Sequence, residues 1–260
     1  MTTTVSRSPV GELLRQWRER RRISQLDLSI EADISTRHLS FVETGRSQPS
    51  RDMVLRLADS LDVPLRERNH LLLAAGYAPV YGEASLSAPQ LAAVRQAIRL
   101  VLKAHEPFPA VVVDRAWDLV DANATIGLLT TGVTPRLLEP PVNVLRLSLH
   151  PDGIAPRIVN LGEWRAHLLA RLRREIAVTA DARLIELLDE LRGYPGDESH
   201  VEVPGSGDVV VPLCIRTDLR ELRFLSTVAT FGTPLDVTVA ELSIESFFPA
   251  NPETAEALRR

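Results

Sequence analysis

Thr36, Arg37, Ser40 and Phe41 fall at helical spacing on one side of a segment whose Leu39 and Val42 point the other way. Hydroxyls, a guanidinium and an aromatic ring on one outer face suit the polar groups and methyls at the edge of a DNA duplex. Ser35 precedes that helix and supplies a capping oxygen. Upstream, a helix beginning at Gln25 keeps Leu28 and Ala32 on one face, and Ser29 is small enough for the second helix to cross closely. Asp33 sits where the chain must turn, and Asp tolerates a left-handed backbone better than most residues. Two short helices about a tight turn form the helix-turn-helix pattern, whose second helix enters the major groove.

Other chemistry finds less support in the sequence. His38, His70, His105, His150, His167 and His200 are scattered, and with one cysteine they offer no recognisable zinc spacing. Glu163 and His167, four apart on an expected helix, are the best available acid/base pair, and a surface ion pair explains them more simply. A phosphate-cradling glycine loop, a nucleophile elbow and a Cys/His dyad are all missing from the sequence. The expectation is a protein that is not an enzyme and requires no cofactor.

A chain of 260 residues has room for two domains, each with its own core. Its net charge of −4 divides unevenly: residues 1–80 carry 12 Arg against 10 acidic residues, whereas residues 81–260 carry 18 basic against 24 acidic. A polyanion therefore suits the first part and not the second. Arg15, Arg18, Arg20, Arg21 and Arg22 cluster at the end of the first helix, where they could meet phosphates or complement the helix C-terminus. No apolar run reaches the length of a membrane span, and the polar start Met1–Thr4 is not a signal peptide. Cys214, in an apolar run, reads as a buried structural thiol, and cytoplasmic residence follows.

The elements that must position these residues begin with a helix opened by Ser8-Pro9 and carrying Leu13, Leu14 and Trp17. Ser50 caps a fourth helix, and a fifth, from Leu65 to Ala75, stops at Gly76. Residues 8–76 are thus an all-α five-helix DNA-binding domain and residues 77–89 a linker. Residues 90–250 start with a helix from Leu91 to His105. Strands are expected at Pro109–Asp114 and Ala116–Val120, then a short helix capped by Asn123. Gly162–Ala177 and Asp181–Arg192 read as amphipathic helices, and Asp208–Arg216, Glu221–Phe231 and Leu235–Phe247 as further strands. The expected architecture is an α+β domain with an antiparallel sheet, and a hairpin running into an Asn-led helix is how PAS-like sensor domains begin.

Gln25 and Glu43-Thr44-Gly45-Arg46 resemble the recurrent positions of Xre/Cro-type repressors. That resemblance implies an internal pair between Glu43 and an Arg of the first helix, here Arg18, and places Gln25, Thr44 and Arg46 against phosphates. The sequence departs from the pattern at Asp33, where Gly is usual, and at Phe41, often polar. Phe41 could contact a thymine methyl or pack on the following helix.

More of the chain resembles the MmyB-like transcriptional regulators. The likeness runs through residues 38–49, Leu65–Asn69, Ala74–Pro79, Pro141–Arg146, Leu149–Pro151, Glu163-Trp164, Ser226-Thr227 and Phe231–Thr238. It implies a bacterial transcription regulator in which an Xre-type domain is fused to a PAS-like ligand-binding domain, with a long-chain fatty acid as the kind of ligand. Asn143 and Arg146, three apart, could grip a carboxylate, or could cap a turn and pair with a nearby acid. Trp117, Trp164, Leu168, Leu172 and Phe224 could line an apolar cavity or belong to the core. The reading is a homodimer that binds a double-stranded DNA operator through Gln25, Ser35, Thr36, Arg37, Ser40, Phe41, Thr44 and Arg46, takes up a small apolar ligand and does not engage membranes. The alternative is a constitutive regulator whose C-terminal domain serves only dimerisation or protein docking.

Overall fold

The computed structural model describes residues 9–196 and 210–259. Contacts group the residues up to Ala84, with Leu235–Val237, into one unit, and Ser85–Pro234 with the residues from Thr238 onward into a second.

The first unit is helical: α1 (Pro9–Arg21), α2 (Gln25–Glu31), α3 (Thr36–Glu43), α4 (Arg51–Ser60) and α5 (Leu65–Ala74). Three of these helices start on a side-chain cap: the hydroxyls of Ser24, Ser35 and Ser50 accept from the N–H of Asp27, His38 and Met53. Such caps satisfy N–H groups that the helix itself leaves without partners. Leu14, Leu28, Leu39, Val42, Leu57 and Leu71 bury together at the centre of the unit. Gly11 has a specific reason to be glycine, because a Cβ there would lie 2.2 Å from the Val42 carbonyl oxygen. Ser29, 2% exposed, lets α3 cross α2 closely and shares a 2.8 Å hydrogen bond with the Thr36 hydroxyl. Asp33 takes φ of 50° in the turn, and Gly76 takes φ of 83° where α5 stops. Beyond it, Asn69 holds the chain down, accepting from the N–H of Val80 and Tyr81 and donating to the Tyr81 carbonyl.

The second unit is α+β. It contains α6 (Ala92–His105), β1 (Ala110–Val113), β2 (Leu119–Ala122), α7 (Gly127–Thr130), α8 (Val144–Leu149), α9 (Leu161–Thr179), α10 (Ala182–Arg192), β3 (Leu213–Arg216), β4 (Glu221–Thr230), α11 (Val237–Ala240), β5 (Ser243–Pro249) and α12 (Pro252–Arg259). The five strands form one antiparallel sheet in the order β2-β1-β5-β4-β3. One face meets α6 through Ile98, Leu102, Val112 and Ile244. The other presents Val111, Phe224 and Phe247 to Leu168, Leu172 and Leu187 of α9 and α10. Strand alternation makes the division, since successive side chains point to opposite faces.

Several expectations need correction, among them the strand expected at Ala116–Val120, which begins at Leu119 after a turn. Residues 235–242 do not extend the last strand, because Asp236 forms a parallel bridge with Gly82 and Val237 N–H donates to the Gly82 carbonyl, after which the chain turns through α11. Asn123 does not cap the short helix after β2; its amide is committed to the Ala110 N–H and to the carbonyls of Phe108 and Leu102. Glu163 and His167 engage other groups: Glu163 accepts from Asn160, and His167 stacks on Trp164. The strand expected over 208–216 begins at Leu213, its first two residues and His200 lying outside the described residues. Cys214 is buried and free of disulfide, and burial pushes its thiol up from the ordinary value. Among the described residues, no helix is long and apolar enough to cross a membrane.

Candidate nucleic-acid interface and apolar cavity

The outer face of α3 is held in place from within. Glu43, only 4% exposed, accepts from Arg18 Nε at 2.6 Å and Nη2 at 3.0 Å, and from Gln25 Nε2 at 2.7 Å. One carboxylate thus joins α1, α2 and α3, with a bidentate geometry that fixes orientation as well as distance. On the opposite side Arg37 is exposed, and its guanidinium lies 5.3 Å from the centre of the Phe41 ring. Arg46 reaches the same ring at 5.9 Å. Phe41 is half-buried between two cations, an arrangement in which each guanidinium gains from the ring face. Ser40 is half-buried on that face; the Thr44 hydroxyl donates to the Ser40 carbonyl at 2.7 Å and closes the end of the helix. Of the eight residues named from the sequence, Gln25 and Thr36 are already bonded to neighbouring helices, and Ser35 serves as the cap of α3. Arg37, Ser40, Phe41, Thr44 and Arg46 share the remaining surface.

The second unit contains a cavity of about 240 Å³ between the sheet and α7, α8 and α9. Its walls are mainly apolar, with Val111, Leu145, Trp164, Leu168 and Phe247 among them. The polar exceptions include the Thr130 and Ser148 hydroxyls and the Glu245 carboxyl. Trp164 Nε1–H donates to Ser148 Oγ at 3.0 Å, so the indole is satisfied and its ring is left to the cavity. Glu245 stands on β5 between Val111 and Val228, on the same face as Phe247. Burial pushes its carboxyl above the ordinary range, opposed by Arg171, whose Nη1 is 3.4 Å from Oε1. Arg171 also lies 3.5 Å from Glu175 and 4.2 Å over the ring of Trp117, which in turn donates its Nε1–H to Glu175 at 2.7 Å. Burial raises Glu175 as well.

Trp164 and Leu168 stand in the cavity wall. Leu172 and Phe224 are fully buried in the adjoining core, and Trp117 belongs to the Arg171–Glu175 network. Asn143 caps α8, accepting from Arg146 N–H at 3.1 Å while its own amide donates to Ala116 and Asp118. Arg146 makes a two-pronged pair with Glu190, both distances 2.7 Å, which holds Glu190 below the ordinary carboxylate range. The geometry of these two residues is that of a turn cap and a local ion pair, and neither lines the cavity.

Residues 94–260 match the MmyB-like transcription regulator ligand binding domain. The chain belongs to that family. Residues 9–71 of this MmyB-like regulator match a helix-turn-helix domain. Among solved structures, the restriction-modification controller protein C.AhdI from Aeromonas hydrophila is similar at 30% identity, over 24% of this chain and 92% of that one, with a TM-score of 0.23. The clp gene regulator ClgR from C. glutamicum is similar at 22% identity, over 26% and 86%, with a TM-score of 0.24. No curated protein matches the chain.

In this regulator the residue that sequence reasoning missed is Glu245. Its signal was present: a glutamate two positions before Phe247, so on the same face of the strand as that ring. A charged residue at an inward strand position is an exception to the alternation and marks either strain or a site.

Proposed function

We propose that the chain is a sequence-specific DNA-binding transcription regulator, cytoplasmic and homodimeric, whose C-terminal domain takes up a small, mainly apolar ligand. The exposed side of α3 would read base edges through Arg37, Ser40 and Phe41, with Thr44 and Arg46 at the flanking phosphates. Arg37 has the reach and the five donors for a bidentate guanine contact, and each such contact contributes about 1–3 kcal/mol of discrimination. In a two-fold dimer, two such helices would meet half-sites about one duplex turn apart. Binding in the C-terminal domain would alter their spacing.

The observation that carries the ligand reading is the cavity. At about 240 Å³ it is larger than the roughly 150 Å³ apolar void that holds benzene in an engineered core. An acyl chain, as in a long-chain fatty acid, supplies a tail of the required character. Each methylene buried there contributes about 0.8 kcal/mol, and micromolar affinity requires about 8 kcal/mol net.

Mass spectrometry of an organic extract of the purified full chain tests this reading. A stoichiometric apolar molecule is expected. An empty extract, together with unchanged thermal stability across a panel of acyl chains, would favour a C-terminal domain that serves dimerisation or docking alone.

A further inference from the structure

Phe41 stands apart from the other apolar residues of α3. Leu39 and Val42 are fully buried in the core of the first unit, whereas Phe41 belongs neither to that core nor to the half-buried residues packed on it. Its side-chain neighbours are cations. We propose that Arg37 and Phe41 act as one unit that reads a guanine together with a 5-methylpyrimidine in the adjacent base pair. Thymine and 5-methylcytosine serve alike there, so methylation of a cytosine at that position raises affinity for the operator. This inference rests on the reading of α3 as the base-contacting helix.

Spacing and stacking carry the argument. Arg37 and Phe41 are four residues apart on α3, so their side chains leave the same face one turn from each other. The Arg37 guanidinium lies 5.3 Å from the centre of the Phe41 ring, and that contact ties the two groups together. Arg46 lies 5.9 Å from the same ring, and its N–H donates to the Phe41 carbonyl at 2.8 Å. Among the described residues no carboxylate pairs with either guanidinium, which leaves the five donors of Arg37 for a base edge. Guanine presents N7 and O6, the two acceptors that a guanidinium takes together. Thymine presents its C5 methyl as an apolar group in the major groove, and a phenyl ring suits it. Successive bases are about 3.4 Å apart, so a ring held beside the guanidinium meets the neighbouring base pair. 5-Methylcytosine carries the same methyl at the same place, whereas cytosine and uracil present only a hydrogen there.

The test is competition binding of the full chain to duplexes built on the sequence it selects from a random library, with single bases exchanged. Deoxyuridine in place of one thymine beside a guanine in each half-site should weaken binding about fourfold, the equivalent of one buried methyl group. Deoxyuridine at the other thymines should change affinity by less than about twofold. At the sensitive position, 5-methylcytosine paired with guanine should bind about fourfold more tightly than unmethylated cytosine. Phe41→Gln should erase both methyl effects while preference for the adjacent guanine remains. A selected sequence with no thymine beside a guanine overturns the inference and leaves base reading by α3 in place. Tolerance of deoxyuridine at every such thymine, or methyl effects unchanged in Phe41→Gln, overturns it in the same way. If no sequence is selected at all, the reading of α3 itself falls and this inference with it. The base exchanges on the unaltered chain decide the matter even if Phe41→Gln fails to fold.

Discussion

Arg18 and Glu43 form a bidentate ion pair between α1 and α3, with Nε to Oε1 at 2.6 Å and Nη2 to Oε2 at 3.0 Å. The Glu43 side chain is 2% exposed and that of Arg18 12%, so the pair is shielded from water and salt. Gln25 adds a third bond, and Arg18 Nη1 donates to the Ile23 carbonyl. The orientation of the recognition helix therefore depends on one buried carboxylate.

Glu43→Ala should destabilise the N-terminal unit by about 3–5 kcal/mol, the usual result of stranding one member of a buried pair. Chemical denaturation followed by the fluorescence of Trp17, which packs in that unit, provides the measurement. A change below about 1 kcal/mol would place this pair with ordinary surface ion pairs.

Arg146→Ala should behave differently. Arg146 and Glu190 are each 37% exposed in their side chains, so the pair contributes at most about 1 kcal/mol. Ligand affinity should not change, because Arg146 does not line the cavity. Markedly weaker ligand binding with stability intact would restore Arg146 to the ligand site.

The contrast shows what the sequence made legible. The helix-turn-helix was readable because its determinants are local: Ser35 caps three residues ahead, Asp33 turns in place, and Leu39 and Val42 lie within one turn of each other. The spacing of Asn143 and Arg146 correctly implied a helical turn, but spacing does not name a partner. That partner, Glu190, is 44 residues away. The cavity is built from β1, α8, α9 and β5, elements whose approach no local pattern encodes, so Trp164 and Leu168 could not be told from Leu172 and Phe224. Residues 235–242 read as strand from their β-branched side chains, and a bridge to Gly82 overrides that preference.

Glu245→Gln should change the pH dependence of stability. Burial raises the Glu245 carboxyl above its ordinary value of 4.5, so the folded chain binds this proton more readily than the unfolded chain does. Its contribution to stability is fully present below the unfolded value and is lost as pH rises through the folded value. The variant carries no such proton, so its stability relative to the unaltered chain should improve as pH rises above the ordinary value of 4.5. Thermal melts across that rise test the sign, and a difference that does not change with pH would show that Arg171 keeps Glu245 ionised throughout.

Leu168→Phe should fill part of the cavity. Adding volume to a void avoids most of the cost of about 1–3 kcal/mol that overpacking a filled core incurs, so stability should fall by less than about 1 kcal/mol. Ligand uptake should fall at least about tenfold, read by extraction or titration. Undiminished uptake would place the ligand elsewhere.

The most direct test of the central claim is selection of binding sites by the full chain from a random duplex library, repeated with Arg37→Ala. The account predicts an enriched sequence with two related half-sites about one duplex turn apart. It also predicts that Arg37→Ala relaxes preference at specific positions and weakens binding by about 1–3 kcal/mol for each base interaction it removes. Failure to enrich any sequence, or enrichment that Arg37→Ala leaves unchanged, would contradict base reading by α3.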